Sequence, residues 1–219
     1  MHTLHGHRSE PDANTKGRLI RWARWYDLMV MLLTFGRAPA MRERTAELAN
    51  LQPGESVLEV GCGTGELTQR ARLRVGVDGR VCGIDPSAEM IAVARHKAER
   101  AGLDIDYRVA SIEALPLADA SVDVVLSSVM MHHLPNAVKQ LGLCEVRRVL
   151  KPGGRLLIVD FKRPTGLLSH LALTSFIHSH ATESIEDLPT LVAAAGFSEV
   201  RGGEMGFRSL GVVSARAPH

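Results

Sequence analysis

Three glycines at alternate positions follow an apolar run in the stretch VLEVGCGTGELT, residues 57–68. Glycine lets a ligand approach bare backbone, and a helix that begins after such a loop offers it N–H groups. The spacing of Gly61, Gly63 and Gly65 differs from the G-x-G-x-x-G of dinucleotide sites, because position 66 is Glu. The loop also lacks the Gly-Lys-Ser/Thr ending of a phosphate-binding loop. It therefore predicts a ligand held by backbone and without a phosphate.

Asp85 ends the next apolar run, at a distance from the glycines where an acid can accept both hydroxyls of a ribose. Its neighbours Pro86 and Ser87 are typical of a helix start, so a surface cap for that helix is the alternative. The glycine loop upstream favours the ribose role. Loop and acid together indicate a nucleoside without phosphates.

Two adjacent histidines, His132 and His133, follow the strand that ends at Ser127 and Ser128, and Asp160 ends a later apolar run. Doubly wound folds place ligands at such carboxyl ends. A histidine held by an aspartate can serve as a base near neutral pH. The alternative is a histidine that hydrogen-bonds backbone and closes the pocket. The sequence does not rank the two histidines.

The elements that must position these residues alternate along the chain. Strands are predicted at 56–60, 80–84, 106–110, 122–127 and 155–161. Helices are predicted at 65–75, 87–101 and 136–150. Two runs near the end, FSEVRGG and SLGVVSA, are predicted to pair as a hairpin. Apolar strands with intervening helices predict a doubly wound α/β domain.

Charge and composition exclude several classes of protein. Lys and Arg number 26 against 24 Asp and Glu, and no basic stripe is present, which disfavours a nucleic-acid partner. The three cysteines fit neither a disulfide framework nor a metal site, so we expect a reducing compartment. No secretory signal and no apolar run of about 20 residues is found, and we expect a cytoplasmic protein. Closely spaced histidines occur near the N-terminus (His2, His5, His7) and late in the chain (His178, His180). They could bind a metal, but we interpret them as surface residues and expect no metal.

Four stretches taken together resemble successive motifs of the class I S-adenosylmethionine-dependent methyltransferases: VLEVGCGTGELT, GIDPSAEMIAVAR, SIEALPLADASVDVVLSS and EVRRVLKPGGRLLIVDF. They are most similar to the branch of the ubiquinone/menaquinone C-methyltransferases and the small-molecule O- and N-methyltransferases of natural-product pathways. The resemblance covers about residues 45–165. It implies a Rossmann-like sheet of seven strands with the last one antiparallel, and S-adenosyl-L-methionine as the cofactor.

The resemblance also implies site residues. The loop would hold the methionine end of the cofactor, Asp85 the ribose, and Met90 would pack near the adenine. Many relatives carry an aspartate that accepts from the adenine amino group, where this chain has Ser111, so that contact would rely on a neutral hydroxyl or the Ile112 backbone N–H. The implied cofactor-binding residues are Tyr26, Glu59, Gly61, Cys62, Gly63, Gly65, Asp85, Pro86, Met90, Ser111, Ile112 and Ser127. The implied catalytic residues are His132, His133 and Asp160.

Three segments surround or follow this domain. Residues 1–16 are expected to be a disordered tail, and residues 17–51 two helices, broken at Gly36 and Pro39, that form a lid. The methyltransferase domain is expected over 52–219, with an acceptor-side insert at 162–190. The arginines around the apolar N-terminal helix also suit peripheral membrane contact, but a lid is favoured.

Both acceptor-side segments are lipophilic, which predicts a small lipophilic acceptor such as a quinone, phenol, lipid headgroup or secondary metabolite. The alternative function is a non-catalytic S-adenosylmethionine-binding regulatory or scaffold protein, raised by the departure at Ser111.

Overall fold

The computed structural model describes Ala13, Thr15 and residues 36–163 and 184–219. Within these residues the chain forms one sheet of seven strands: Ser56–Val60 (β1), Arg80–Asp85 (β2), Asp106–Val109 (β3), Val122–Ser128 (β4), Leu150–Phe161 (β5), Ser198–Glu204 (β6) and Leu210–Arg216 (β7). The order across the sheet is β3-β2-β1-β4-β5-β7-β6. Strands β1 to β5 are parallel, and β7 pairs antiparallel with both β5 and β6. The predicted mostly parallel sheet with an antiparallel last strand and a terminal hairpin is confirmed.

The helices that connect the strands are Ala38–Leu48 (α1), Glu66–Val75 (α2), Ala88–Arg100 (α3), Asn136–Val149 (α4) and Leu188–Ala194 (α5), with short 3-10 turns at Met131–His133 and Ile185–Asp187. The predicted bounds agree to within one residue for β1 to β4 and for α2 to α4. The prediction for β5 was wrong at its start, because Leu150 already pairs with Val122 before an irregularity in the register. The KPGG sequence that follows suggests a turn, yet it continues the strand.

Helix α1 begins where the sequence predicted a break. Pro39 lies in its first turn, where proline needs no N–H partner and its fixed φ suits a helix. Ala46 and Ala49 at the end of this helix share an apolar cluster with Leu67 on α2. Tyr26, the preceding predicted helix and residues 164–183 of the predicted insert lie outside the described residues. No helix in the described part of the chain is long and apolar enough to cross a membrane.

Alternate residues of the central strands enter two different apolar layers. Leu58 and Val125 belong to the cluster that includes Leu143 of α4, whereas Val57 and Val124 belong to the cluster under α1 and α2. This is the alternation expected of a strand, and here both faces are covered. The doubly wound arrangement leaves the carboxyl ends of β1 to β4 as the common edge at which loops converge.

Candidate active site

A cavity lies at the carboxyl ends of the parallel strands, where the loops after β1, β2, β3 and β4 meet. Its walls are formed by Thr15, Gly61, Gly63, Ile84, Asp85, Pro86, Met90, Ala110, Ser111, Ile112, Glu113, Ser128, Val129, Met130, His133 and Leu134. The strand order reverses between β1 and β4, which is the switch point where α/β sheets bind ligands. The loops after β3 and β4 are three strand spacings apart, about 14 Å, so they form opposite ends of the site.

The glycine loop follows β1 directly, and a side chain at Gly61 or at Gly65 would clash with a neighbouring residue. Gly61 has φ +69° and Gly63 φ +53°, both in the left-handed region. A Cβ on Gly61 would lie 2.3 Å from Cγ of Met130, so the loop packs directly against the turn after β4. Gly65 has a different role: it precedes α2 with φ +81°, and a Cβ there would lie 2.3 Å from the Tyr107 hydroxyl. Gly61 and Gly63 therefore line the cavity, and Gly65 allows the helix to start.

Glu59 lies behind the loop and outside the cavity wall. It is 3% exposed and accepts a hydrogen bond from the Thr68 hydroxyl. Burial raises the pKa of its carboxyl to about 8, so the acid is mostly protonated at neutral pH. Cys62 is also buried, and its backbone N–H donates to the Ile84 carbonyl at 2.9 Å. Glu59 is thus linked to α2, and the backbone of Cys62 joins the glycine loop to β2.

Asp85 joins the end of β2 to the glycine loop. Its Oδ2 accepts from the Gly63 N–H at 3.0 Å and its Oδ1 from the Ser87 N–H at 2.9 Å. The N-cap of α3 is Ser87, whose Oγ accepts from the Met90 N–H. The carboxylate of Asp85 lies in the cavity wall, and a carboxylate there is a group that can accept hydrogen bonds from the hydroxyls of a ribose.

The end of the cavity formed by the loops after β2 and β3 combines apolar and polar side chains. Pro86, Met90 and Ile112 supply apolar wall, and the buried Ser111 supplies a neutral hydroxyl. Glu113 adds a carboxylate to this wall that no motif of the sequence predicted.

Two residues of the segment for which the sequence predicted no fixed structure contact this same end. The hydroxyl of Thr15 donates to Oε1 of Glu113 at 2.8 Å, and the backbone N–H of Ala13 donates to the Pro86 carbonyl at 2.9 Å. Thr15 thereby becomes part of the cavity wall. No motif or periodicity in residues 1–16 indicates this contact.

Ser127 and Ser128 at the end of β4 face opposite sides. Ser127 is paired with Val60 and Ile158, which belong to the buried apolar cluster under α4, and it is 1% exposed. Its Oγ has no hydrogen-bond partner among the residues that the structure describes. Ser128 lines the cavity instead. The structure thus places the neighbour of the predicted residue at the site.

The turn after β4 begins with a strained residue. Val129 has φ +54°, a conformation that is unfavourable for a β-branched residue, and its N–H donates to the Val159 carbonyl at 2.8 Å. This reversal directs Met130 toward the glycine loop. Val129, Met130 and Leu134 line the cavity and were not predicted as site residues.

The two neighbouring histidines have different surroundings in the structure. Nδ1 of His132 lies 2.7 Å from Oδ1 of Asp160, and the His132 backbone N–H donates to Oδ2 of the same carboxylate at 3.0 Å. The side chains of His132 and Asp160 are buried, at 7% and 2% exposure. His133 lines the cavity, with its ring centroid 3.9 Å from that of His132. The predicted pairing of a histidine with Asp160 therefore involves His132, whereas the imidazole at the cavity is His133.

Comparison with known proteins decides the family. A family model described as a methyltransferase domain matches residues 57–154. The ubiquinone/menaquinone biosynthesis C-methyltransferase UbiE of Rubrivivax gelatinosus is 34% identical over 205 residues, which cover 83% of this chain and 78% of that protein. The chain belongs to the class I S-adenosylmethionine-dependent methyltransferases of the UbiE-like type. The demethylmenaquinone methyltransferase of Thermus thermophilus is 32% identical to this methyltransferase, over 79% of the chain and 88% of the relative.

Solved structures agree with this assignment. The crystal structure of a SAM-dependent methyltransferase from Aquifex aeolicus superposes on the methyltransferase with a TM-score of 0.65 and 27% identity, over 80% of this chain and 89% of the other. Further UbiE relatives align over only 55–56% of their own length.

The residues present fit S-adenosylmethionine, the cofactor of the family. The side-chain-free backbone at Gly61 and Gly63 allows close approach of an amino-acid group, and the carboxylate of Asp85 can accept from a ribose. The apolar wall of Pro86 and Met90 suits a purine ring. The methyltransferase would thus hold the nucleoside toward β3 and the sulfonium toward β4.

Proposed function

We propose that this methyltransferase methylates a ring carbon of a quinone-type acceptor in its reduced, hydroquinone form, with His133 as the base. The observation that carries the proposal is the composition of the cavity end beside the glycine loop, where His133 stands among Val129, Met130 and Leu134. The names of the relatives, a ubiquinone/menaquinone C-methyltransferase and a demethylmenaquinone methyltransferase, support the same acceptor class.

A further apolar cluster continues from this end of the cavity. Val129 packs against buried residues of the sheet and of the β6–β7 hairpin, which include Val159, Met205 and Leu210. Phe161, partly buried against this cluster, meets the His132 ring edge-on at a centroid distance of 5.0 Å. Burying an aromatic acceptor here would contribute roughly 25 cal/mol per Å² of apolar surface, which favours a ring system over a polar headgroup.

When bound, the cofactor supplies an electrophilic methyl group on a sulfonium, which becomes a neutral thioether. The chain must therefore align the acceptor and remove a proton. Among the described residues that line the cavity, His133 supplies an imidazole, and we assign it the hydroxyl proton of the hydroquinone. Loss of that proton raises the electron density on the adjacent ring carbon, which is the nucleophile. The methylated carbon then loses its own hydrogen as a proton and the oxygen is reprotonated, so that one ring C–H is replaced by C–CH3 and one proton is released.

His132 and Asp160 position this base. The carboxylate of Asp160 accepts a hydrogen bond from the His132 backbone N–H and also contacts Nδ1 of the His132 ring. These two contacts hold the 3-10 turn against β5. In a neutral His132, the contact at 2.7 Å assigns the proton to Nδ1. The His132 ring contacts the His133 ring at a tilt of 46° and so limits the orientation of His133.

Product analysis tests the acceptor. The protein is incubated with S-adenosylmethionine and a short-chain demethylnaphthoquinone, with and without a reductant, and the product is examined by mass spectrometry and NMR. We expect a methyl group on carbon only when the reductant is present. A methyl ether, or equal turnover of the oxidised quinone, would contradict the proposal.

Single variants test the base. His133→Ala should lower turnover by about 10² to 10⁴ while leaving S-adenosylhomocysteine affinity nearly unchanged. Asp160→Asn should cause a smaller loss, and His96→Ala, on the exposed face of α3, should cause none. If His132→Ala causes the large loss and His133→Ala retains more than about a tenth of the activity, His132 is the base instead. If both retain it, neither histidine is the base.

A further inference from the structure

Met130 differs from the other methionines in the described part of the chain, because its side chain is not fully buried. Met41, Met90, Met131 and Met205 are at most 9% exposed, whereas Met130 is partly buried and lines the cavity. We propose that Met130 is an oxidation site. A peroxide converts its thioether to the sulfoxide, which prevents cofactor binding until the thioether is restored. This inference concerns the cofactor alone and does not depend on the proposed acceptor.

The side chain of Met130 lies against the glycine loop. Its Cγ is 2.3 Å and its Cε 3.4 Å from the position that a Cβ on Gly61 would take. The sulfur is bonded to both of these carbons, so it lies beside the same stretch of bare backbone. The amino-acid end of the cofactor must approach this backbone closely. A chemical change at the sulfur therefore acts on that end of the cofactor site.

The surroundings of Met130 restrict where an added oxygen can lie. Toward Gly61 there is no room, because the side chain already contacts the loop. On its inner side Met130 packs against the apolar cluster that includes Val60, Ile112 and Met131, where a sulfoxide oxygen would lose its hydrogen bonds to water. The oxygen therefore points into the cavity. There it occupies space beside the glycine loop that the cofactor needs.

The modification is a two-electron oxidation of the sulfur. A sulfur lone pair attacks one oxygen of hydrogen peroxide, the O–O bond breaks, and the other oxygen leaves as water. The sulfur is oxidised to the sulfoxide and the peroxide is reduced. Methionine sulfoxide reductases reverse the step with a dithiol, which becomes a disulfide while the oxygen leaves as water. The sulfoxide is polar where the thioether was apolar.

The cysteines near the site are poor targets for the same oxidant. Cys62 in the glycine loop and Cys82 on β2 are both buried. Burial raises the pKa of the Cys82 thiol to about 12 and that of the Cys62 thiol well above its ordinary value, which disfavours the thiolate that reacts with peroxide. Cys144 is exposed but lies on α4, outside the cavity wall. Met130 is thus the accessible sulfur among the described residues that line the cavity.

Peroxide treatment of the full chain tests the proposal. Peptide mass spectrometry locates the sulfoxides, and calorimetric titration measures S-adenosylhomocysteine affinity. We expect Met130 to be oxidised at least about tenfold faster than the buried Met41 and Met205. The affinity should fall at least about tenfold and recover after treatment with methionine sulfoxide reductases and dithiothreitol. Bound S-adenosylhomocysteine should slow the oxidation of Met130, because binding and oxidation oppose each other.

Variants identify the sulfur that is responsible, each compared with its own untreated sample. Met130→Leu keeps an apolar side chain of similar size without sulfur, so peroxide should no longer change its affinity. Met41→Leu and Cys144→Ser should still lose affinity as the wild type does. The proposal is wrong if oxidised Met130→Leu loses affinity to the wild-type extent, or if Met130 is oxidised no faster than the buried methionines. It is also wrong if the Met130 sulfoxide binds the ligand normally, or if circular dichroism shows that the affinity is lost only with general unfolding.

Discussion

Replacing Gly61 with alanine tests the contact between the glycine loop and the turn after β4. Two separate costs follow from the structure. The backbone at Gly61 has φ +69°, and an alanine in this region costs about 1–2 kcal/mol. The new Cβ would also lie 2.3 Å from Cγ and 2.9 Å from Cβ of Met130.

The second cost cannot be relieved by a rotamer change. The Cβ of Met130 is itself too close, so the turn must move, and overpacking of this kind costs about 1–3 kcal/mol. The expected total is therefore about 2–5 kcal/mol in the free energy of unfolding. Because the same turn carries His133 and the cavity wall, we also expect S-adenosylhomocysteine to bind at least about tenfold more weakly.

The chain offers a matched control for the first cost. Gly102, just after α3, has φ +64°, and a Cβ there would have no atom within 4 Å. Gly102→Ala should thus lose only about 1–2 kcal/mol and bind the ligand normally. Adding Gly61→Ala to Met130→Ala should cost less than adding it to the wild type, because the Met130 Cγ at 2.3 Å is gone, but more than Gly102→Ala, because the Cβ at 2.9 Å remains.

Chemical denaturation and calorimetric titration of these variants decide the outcome. Equal losses of stability in Gly61→Ala and Gly102→Ala, together with normal ligand affinity in Gly61→Ala, would refute the close approach of loop and turn. An undiminished cost of Gly61→Ala in the Met130→Ala background would show that Met130 is not the obstacle.

Two further predictions concern buried and strained residues. Burial raises the pKa of Glu59 from 4.5 to about 8, so between these pH values the folded state holds a proton that the unfolded state releases. The free energy of unfolding should therefore fall as pH rises from 4.5 to about 8, by up to about 1.4 kcal/mol per pH unit. Unfolding of the wild type and Glu59→Gln at several pH values checks this, and parallel curves would contradict it. At Val129, glycine should be more stable than alanine by about 1 kcal/mol, the reverse of the usual order, because φ is +54°. Denaturation of both variants measures this, and the usual order would exclude a left-handed residue there.

Local patterns in the sequence were enough to determine the sheet and the centre of the site. Apolar runs and helix starts predict β1 to β4 and α2 to α4 to within one residue, since both depend on short-range periodicity. The positions of Gly61 and Asp85 follow as well, because parallel strands bring their carboxyl ends to one edge of the sheet.

Only the tertiary structure decided which neighbour of a predicted residue faces the cavity. Adjacent residues at a strand end point to opposite sides, so a choice between Ser127 and Ser128 depends on the register, which no spacing gives. The division between His132 and His133 depends likewise on the reversal at Val129. These are one-residue differences set by packing between β4 and β5.

The contact between Thr15 and Glu113 was beyond the reach of sequence patterns for another reason. The two residues are 98 positions apart, and neither belongs to a periodic element. Periodicity reports which face of an element is buried, whereas a hydrogen bond between two loops depends on where the folded elements bring those loops. The sequence by itself located the glycine loop and the acid at the end of β2, whereas the fold alone brought the Glu113 carboxylate into the wall of the same cavity.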